Sequence, residues 1–416
     1  MLRAAGTLPL TPIPPNDLLI VGFDFGTGSS RTTAKHVYGI HTRESAVIRH
    51  IRLKPDQDFA MRQIMNLLED GNVVYGNVDV NKAVQRKPSL RSRTMRRIKL
   101  SLHPGFEGLP DVIHTLKTIF AEKDRAARQD LFEDFLRALF NDVRAAHKRR
   151  PLKAGQPDSY WDAIPLEIHI SVPAMWNDEQ RGIIRNAAQR AAKACGMSCK
   201  DPKIDLREEA LCVATYFLSK DRSAQVGSIH IFVDVGDGTL DITTVIVVRA
   251  HSLSGPMQLQ RLGLCSGSDA GSHKVNAGAE AWVFRKYGEL EVDKKCRQLD
   301  ITRHEFSRQL WQEVDRLKRD IDSKDSGDLH WARISGSHGR MGPGLLNEWT
   351  IDFPIEAITE WFDDWTSAAD QLLQQHLAAL SPEQRISDIS ATLTGVNLPM
   401  PFPSSQWYLA NIHICL

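Results

Sequence analysis

Two widely separated stretches of the chain share one pattern of apolar and polar positions. In the first, the apolar run 18–23 leads to Asp24 and then to a turn rich in Gly, Thr and Ser. In the second, apolar residues alternate over 229–233, and Asp234 precedes a turn with two glycines and the apolar run 242–248. Alternation and β-branched runs are typical of strands. Each stretch therefore predicts a strand, a turn and a returning strand.

The two turns carry residue types that suit a phosphate and a metal ion. Glycine lets backbone N–H groups approach a phosphate closely, and the carboxylates of Asp234 and Asp241 suit a hard cation or its bound water. The alternative is an ordinary acidic β-hairpin, because Asp-Gly is a common hairpin turn. Since the pattern occurs twice, we favour two similar lobes that hold one polyphosphate. The turn residues concerned are Gly26, Thr27, Gly28 and Ser29 in the first copy and Gly236, Gly238 and Thr239 in the second.

The spacing of apolar residues predicts helices and further strands elsewhere. Apolar residues recur at helical spacing from Leu131 to Val143, which predicts a helix within 111–148 that packs on a sheet. Further helices are predicted from Asn177 or Asp178 to Gly196, over 206–219, over 306–321 and over 355–380. Strands are predicted within 46–51, 73–76, 166–172 and 386–395, and an irregular segment over 325–344.

Composition and charge exclude several classes of function. With 416 residues, the chain is long enough for two domains. A formal net charge of +1 does not suit a molecule that coats nucleic acid or an acidic membrane. The cysteines are few and scattered, which indicates free thiols in a reducing compartment, and no apolar run is long enough to span a membrane. We therefore expect a cytoplasmic protein.

A basic run between Lys82 and Lys99 contains no acidic residue. Such a run suits a nucleic-acid or phosphate patch, and it equally suits a solvated basic loop with the start of a helix. We favour the loop, so nucleic acid is not an expected partner.

The expected domain boundaries follow from these patterns. Prolines interrupt residues 1–17, which we expect to form a disordered leader. The first lobe is expected over 18–205 and an incomplete second lobe over 206–395. Residues 396–416 contain prolines at alternate positions, which forbid a helix. We expect them to be an aberrant tail, translated from unspliced or wrongly predicted coding sequence.

Several motifs resemble those of the ATPase superfamily that includes actin, hexokinase and the 70-kDa heat-shock proteins. The sequence Asp24-Phe25-Gly26-Thr27 looks like the first phosphate motif of that superfamily, and residues 234–241 are similar to the second. Residues 170–180 resemble the heat-shock segment in which a strand ends at Val-Pro-Ala and a helix begins. Residues 208–214 resemble the first connecting helix. The order and spacing fit a divergent heat-shock-like branch better than the orthodox chaperones.

The resemblance implies an α/β protein with the actin-like ATPase fold. Two ribonuclease H-like lobes would flank a nucleotide cleft, with ATP or ADP and Mg²⁺ as cofactors. It implies that Asp24, Asp234 and Asp241 hold the metal and its waters, and that Asp24, Asp234 and Glu208 serve catalysis.

Further nucleotide-binding residues are implied by the same resemblance. Gly271 and Ser272 belong to a glycine-containing loop before a helix, which suits an anion site and suits a plain loop equally. Glu313 and Arg316 would hold the adenosine sugar and base, although a charged, solvated helix face explains them as well. Gly395 would belong to the adenosine motif.

Three positions depart from the family pattern. Asp237 stands where the family has glycine, and a carboxylate beside a phosphate repels it unless a cation screens the charge. The family places a glutamate before a proline to position a metal-bound water, and here no proline follows Glu208 or Glu209. Val396 replaces the second glycine of the adenosine motif.

These departures leave three functions open. We expect an ATP-binding, heat-shock-like protein with weak Mg²⁺-dependent ATPase activity, related to chaperones and with protein clients or co-chaperones as partners. The first alternative is a pseudo-ATPase that acts as a nucleotide-sensing or interaction module. The second is a sugar or metabolite kinase of the same fold, against which the Val-Pro-Ala segment argues.

Overall fold

The computed structural model describes a defined set of residues in the chain. They are 18–26, 29–37, 49–50, 60–62, 64–67, 73–102, 106, 109–120, 127–149, 160, 164–196, 202–220, 224–250, 257–320, 330–336, 347–379, 390–394 and 412–414.

The chain divides into two compact units, which we call unit 1 and unit 2. Unit 1 comprises Met1–Leu102, Lys117–Val172 and Trp176–Arg207, and unit 2 comprises His103–Leu116, Pro173–Met175 and Glu208–Leu416. Two short segments, His103–Leu116 and Pro173–Met175, therefore belong to unit 2 although the chain on either side of each belongs to unit 1.

Unit 1 is built on a mixed β-sheet. Its strands are β1 (Leu18–Phe25), β2 (Ser29–Val37), β3 (Arg49–His50), β4 (Ala60–Arg62), β5 (Ile64–Leu67), β6 (Val73–Tyr75), β7 (Thr94–Arg96), β8 (Leu166–Val172) and β9 (Lys203–Glu208). The main sheet has the order β3–β2–β1–β8–β9, with β4 paired to β2, and a smaller sheet has the order β6–β5–β7. Strand β1 is antiparallel to β2 and parallel to β8.

Unit 2 contains a second mixed sheet. Its strands are β10 (Ile229–Val235), β11 (Leu240–Arg249), β12 (Gln258–Ser268), β13 (His330–Ser335), β14 (Glu348–Phe353), β15 (Ser390–Thr394) and β16 (Ile412–Ile414). The main sheet has the order β12–β11–β10–β15–β16, and β13 and β14 form a separate antiparallel pair. Strand β10 is antiparallel to β11 and parallel to β15.

The main sheets of the two units have the same strand order. When β4, which pairs with β2 beside this path, is left out, the five strands of each path read third, second, first, fourth and fifth in chain order. In both, the first strand is antiparallel to the second and parallel to the fourth. The first two strands of each sheet form a hairpin, and these hairpins are the two that the sequence pattern predicts. The predicted α/β class is confirmed.

Helices flank the sheets. They are α1 (Asn77–Arg86), α2 (Pro110–Phe120), α3 (Ala127–Lys148), α4 (Asp178–Ala194), α5 (Glu209–Lys220), α6 (His273–Tyr287), α7 (Glu289–Gln298), α8 (Arg303–Asp320) and α9 (Ile355–Ala379). In the described part of the chain, no helix combines the length and the apolar character that a membrane crossing requires.

The core of unit 1 confirms the predicted amphipathic helix. The apolar face of α3 is buried, and Phe140 packs on Phe23 of β1 with ring centroids 5.1 Å apart. Helix α4 begins with a capping box, in which the side chain of Asn177 accepts from the N–H of Gln180 and Gln180 accepts from the N–H of Asn177. It is followed by Gly196 at φ 61°. Both ends of α4 are therefore as predicted.

Three predictions about local structure are wrong. The helix predicted over 206–219 begins only at Glu209, because Lys203–Glu208 forms the strand β9 beside β8. The segment 325–344, predicted to be irregular, contains strand β13. The basic run is not a solvated loop throughout, since Arg97 and Lys99 are 5% and 2% exposed and Lys99 lies over the ring of Trp176.

The core of unit 2 contains a buried histidine that joins a helix to the sheet. His376 of α9 is 3% exposed, and its Nε2 and Nδ1 form hydrogen bonds with the hydroxyls of Thr244 and Ser266 at 2.8 and 2.7 Å. Burial lowers the pKa of His376 from its usual value of 6.5. The folded protein therefore favours the neutral imidazole.

We predict that unit 2 loses stability as the pH falls below about 6.5, the ordinary histidine pKa. The unfolded chain takes up the proton first, so the stability that neutral His376 provides is complete above that pH and is lost as pH falls toward the folded-state pKa. Urea unfolding at pH 7.5 and 5.5 should show a smaller pH dependence in His376→Gln than in the wild type. An unchanged pH dependence in His376→Gln would show that protonation of this histidine does not control stability.

Candidate functional site

The hairpin of β10 and β11 places two aspartates opposite each other. Asp234 and Asp241 are Cα partners in its register, so their side chains lie on the same face of the sheet. Between the strands, the N–H of Gly236 donates to the carbonyl of Thr239 at 2.8 Å and closes the turn. Like charges directly opposite each other are unfavourable. A cation near the two carboxylates would relieve this repulsion.

Asp241 also fixes the short segment Pro173–Met175 within unit 2. Its side chain is 1% exposed, and its Oδ1 accepts from the N–H of Ala174 at 2.7 Å. Gly267 of β12 lies against the same place, since a Cβ there would be 2.8 Å from Asp241 Oδ1 and 3.1 Å from the nitrogen of Met175. Asp241 thus holds Ala174 in place through a hydrogen bond, and it is also a predicted metal ligand.

The turn is packed backbone to backbone against the loop that opens α6. The N–H of Ser272 donates to the carbonyl of Gly236 at 3.0 Å, and the N–H of His273 donates to that of Asp237 at 2.9 Å. A Cβ on Gly271 would lie 2.3 Å from the carbonyl carbon of Gly238 and 2.5 Å from the carbonyl oxygen of Asp237. Only a residue without a side chain permits this approach.

These bonds change the interpretation of the loop at Gly271 and Ser272. The N–H groups of Lys274 and Val275 also donate to backbone carbonyls, those of Gly271 and Ser272. The amides of Ser272, His273, Lys274 and Val275 therefore already have carbonyl partners. The loop supports the turn through the first two of them, and the anion-binding roles predicted for Gly271 and Ser272 stay predictions.

The turn also contains backbone donors. In the described part of the chain, we find no backbone hydrogen bond donated by the N–H groups of Gly238 and Thr239. Both residues are buried. A backbone N–H without a protein acceptor gains from another partner, because leaving it unpaired is costly. An anion such as a phosphate oxygen would satisfy them.

Asp237 carries a screened charge. The ammonium group of Lys318 lies 3.7 Å from its Oδ1, which also accepts from the hydroxyl of Ser272 at 3.2 Å. A carboxylate beside a phosphate was expected to be repulsive unless a cation screens it, and Lys318 is such a cation.

The corresponding turn of unit 1 is only partly described. Asp24 is exposed and accepts from the hydroxyl of Ser171 at 3.2 Å, and the register places Arg31 opposite it. Gly26 follows β1, and Ser29 opens β2. Thr27 and Gly28 lie outside the described residues, as does Gly395.

Glu208, predicted to be catalytic, is held in an ion pair at the end of β9. Its Oε2 accepts from Arg261 at 2.7 Å and from the thiol of Cys265 at 2.9 Å. Burial, followed by the hydrogen bond with Glu208, raises the pKa of the Cys265 thiol to about 11. The thiol is therefore protonated at neutral pH and acts as a donor.

Glu313 and Arg316, predicted to hold the adenosine group, bind each other and the β13 strand. Arg316 donates to Glu313 at 3.3 Å and to the carbonyl of Trp331 at 3.0 Å, and its guanidinium lies 4.9 Å from the centroid of the Trp331 ring. The structure does not bring these two residues into contact with the turn at 236–239 in any described interaction. Their role in binding adenosine stays a prediction.

The two facing carboxylates suit a metal ion that keeps most of its bound water. Among the described residues, no cluster of three or more His, Cys, Asp or Glu side chains could hold a metal ion. Magnesium usually binds through one or two carboxylates together with waters and phosphate oxygens. The facing pair of Asp234 and Asp241 fits that mode, whereas a site made only of protein ligands does not.

Sequence reasoning missed two groups at this site. No sequence pattern assigns a role to Lys318, and Ala174 enters only as part of a motif, because both lie far in sequence from the hairpin that they contact. No local pattern reports such contacts. The aspartate at position 237 is the one sequence feature that indicates a nearby cation, since a carboxylate in a turn that binds phosphate is unfavourable unless its charge is screened.

The cysteines were predicted to form no disulfide framework, and those that the structure describes are not in disulfides. These are Cys195, Cys212, Cys265 and Cys296. Comparison of the chain with models of known protein families and with curated proteins finds no match.

We predict that Gly271→Ala destabilises the protein by about 1–3 kcal/mol, the usual cost of overpacking. The new Cβ would clash with backbone atoms of Asp237 and Gly238, which cannot move aside as a flexible side chain can. The free energy of unfolding from urea titrations measures the effect.

Gly182→Ala is the matched control for this prediction. Gly182 lies inside α4, and a Cβ there would meet nothing within 4 Å. This substitution should stabilise by about 0.5–1 kcal/mol, because alanine is the better helix former. Equal effects of the two substitutions would mean that the loop does not need glycine at 271.

Proposed function

We propose that the chain is an ATP-binding protein of the actin-like ATPase type, with weak Mg²⁺-dependent ATPase activity. The observation that carries this proposal is the turn of unit 2. It joins the N–H groups of Gly238 and Thr239, which donate to no backbone carbonyl among the described residues, to a facing pair of carboxylates, Asp234 and Asp241. Donors for phosphate oxygens and carboxylates for a hard cation are the two requirements of a metal–polyphosphate site.

The repeated strand order supports the actin-like assignment. In each unit an acid precedes the turn of the hairpin that the first two strands of the main sheet form, as the resemblance to a first and a second phosphate motif implies. The resemblance of the motifs to heat-shock ATPases supports the same fold. A chaperone-related role with protein clients or co-chaperones rests on that resemblance alone.

Bound magnesium would supply charge neutralisation for the phosphates. Asp234 and Asp241 are the residues of unit 2 that would hold it or its waters, and the N–H groups of Gly238 and Thr239 would orient a phosphate oxygen. Positioning and charge stabilisation are the main contributions to phosphoryl transfer. The role of Asp24 as a further ligand stays a prediction.

Weak hydrolysis is proposed because the glutamate predicted to be catalytic lies in an ion pair. Glu208 is committed to Arg261 and Cys265, so it is poorly suited to position an attacking water. A protein that binds the nucleotide firmly but hydrolyses it slowly is consistent with this arrangement. The pseudo-ATPase is the limiting case of the same proposal, in which binding alone persists.

We predict that Asp234→Asn weakens binding of Mg·ATP by about tenfold or more, which corresponds to about 1.4 kcal/mol. Binding of ATP in excess EDTA should change much less, because the carboxylate acts through the cation. Isothermal titration calorimetry with and without Mg²⁺ measures both affinities.

Asp269→Asn is the control, since Asp269 is a half-exposed carboxylate of unit 2 that pairs with Lys274 at 3.0 Å. It should leave both affinities near those of the wild type. Equal losses for Asp234→Asn with and without Mg²⁺ would show that this carboxylate is structural. A wild-type protein that binds neither form of ATP would refute the proposed function.

A further inference from the structure

A buried lysine lies beneath the contact between the turn and α6. Lys318 of α8 is 8% exposed. Its Nζ donates to the side-chain oxygen of Asn276 at 2.8 Å and to the carbonyl and hydroxyl oxygens of Ser272 at 3.2 Å each. Two carboxylates face the same ammonium group, Asp315 at 3.0 Å and Asp237 at 3.7 Å.

The two carboxylates have different positions in the fold. Asp315 lies one turn before Lys318 on α8 and also accepts from Asn276 at 2.9 Å, so it belongs to the interface of α8 and α6. Asp237 belongs to the hairpin turn. Burying an ammonium group is costly unless it is paired and hydrogen-bonded, and Asp315, Asn276 and Ser272 provide that. The interaction with Asp237 is thus the one that links the lysine to the turn.

We propose that Lys318 is a positioning residue for phosphate binding. It neutralises Asp237 and holds Ser272, and so keeps the N–H groups of Gly238 and Thr239 directed at an anion without an opposing negative charge. This inference rests on the proposed function, and it adds a residue that the motif pattern does not assign. Lys318 does not touch the phosphate; it acts through Asp237 and Ser272.

A double-mutant cycle tests the proposal through the affinity for Mg·ATP. Lys318→Met should weaken binding by about tenfold, because Asp237 is then unscreened, and adding Asp237→Asn should restore most of that loss. A lysine that only stabilises the helix interface would give a loss that Asp237→Asn does not restore. Equal effects of Asp237→Asn with and without Lys318 would overturn the proposal.

Lys274→Met is the matched control. Lys274 lies at the start of the same helix α6, is 41% exposed and pairs with Asp269. Its loss removes one positive charge near the loop without touching Asp237. Affinity for Mg·ATP should remain within about twofold of the wild type, since exposed pairs contribute little.

Amide hydrogen exchange in the nucleotide-free protein separates this proposal from the proposed function. Lys318→Met should speed the exchange of the Ser272 and His273 amides, which donate to the turn, and the effects of Lys318→Met and Asp237→Ala should be non-additive. If the wild-type protein binds no Mg·ATP, the proposed function is wrong. Additive effects of the two substitutions on amide exchange would show separately that Lys318 and Asp237 are not coupled.

Asp237→Ala alone keeps the test decisive if Lys318→Met does not fold. The proposal expects faster exchange of the Ser272 and His273 amides, because Lys318 is then held only by the partners on α6 and α8. Unchanged exchange at both amides would overturn it.

Discussion

The contact on which unit 2 depends is the close approach of two backbone segments at Gly271 and Gly238. No side chain fits between them, and two amides of the loop donate to two carbonyls of the turn. Because the loop opens α6, this contact sets the direction in which the helix leaves the sheet. The turn is consequently held in one geometry without using its own remaining N–H groups, which is the condition for binding an anion without prior rearrangement.

A buried polar network carries this constraint from α6 to α8. Asn276 is fully buried and donates to the carbonyl of Trp311, and Glu280 accepts from the indole nitrogen of Trp311 at 2.7 Å and from the hydroxyl of Ser307. Buried polar groups are tolerated when they are paired, and paired networks specify one arrangement of the helices that share them. The geometry of the turn, the start of α6 and the face of α8 is therefore a single property of unit 2.

The local elements could be predicted from the sequence, and the contacts between distant elements could not. The alternation before Asp24 and Asp234 predicts both hairpins, and the polar residue Asn177 before an amphipathic run predicts the start of α4. The helix predicted over 206–219 begins late because residues up to Glu208 form β9, which pairs with β8. Tertiary pairing here overrides the helical spacing of the apolar residues. The carbonyl partners of the loop amides and the lysine under Asp237 arise from packing between elements, about which local periodicity carries no information.

The two hairpins share a topology but not a charge pattern. In unit 1 the register places a basic residue, Arg31, opposite Asp24, whereas in unit 2 it places Asp241 opposite Asp234. Two acids on one face of a hairpin repel each other and gain from a shared cation. This repulsion is the reason for proposing a cation at the pair in unit 2, and the role of Asp24 as a ligand stays a prediction. Two hairpins with the same pairing of strands thus differ in the residue that the register places across from the acid.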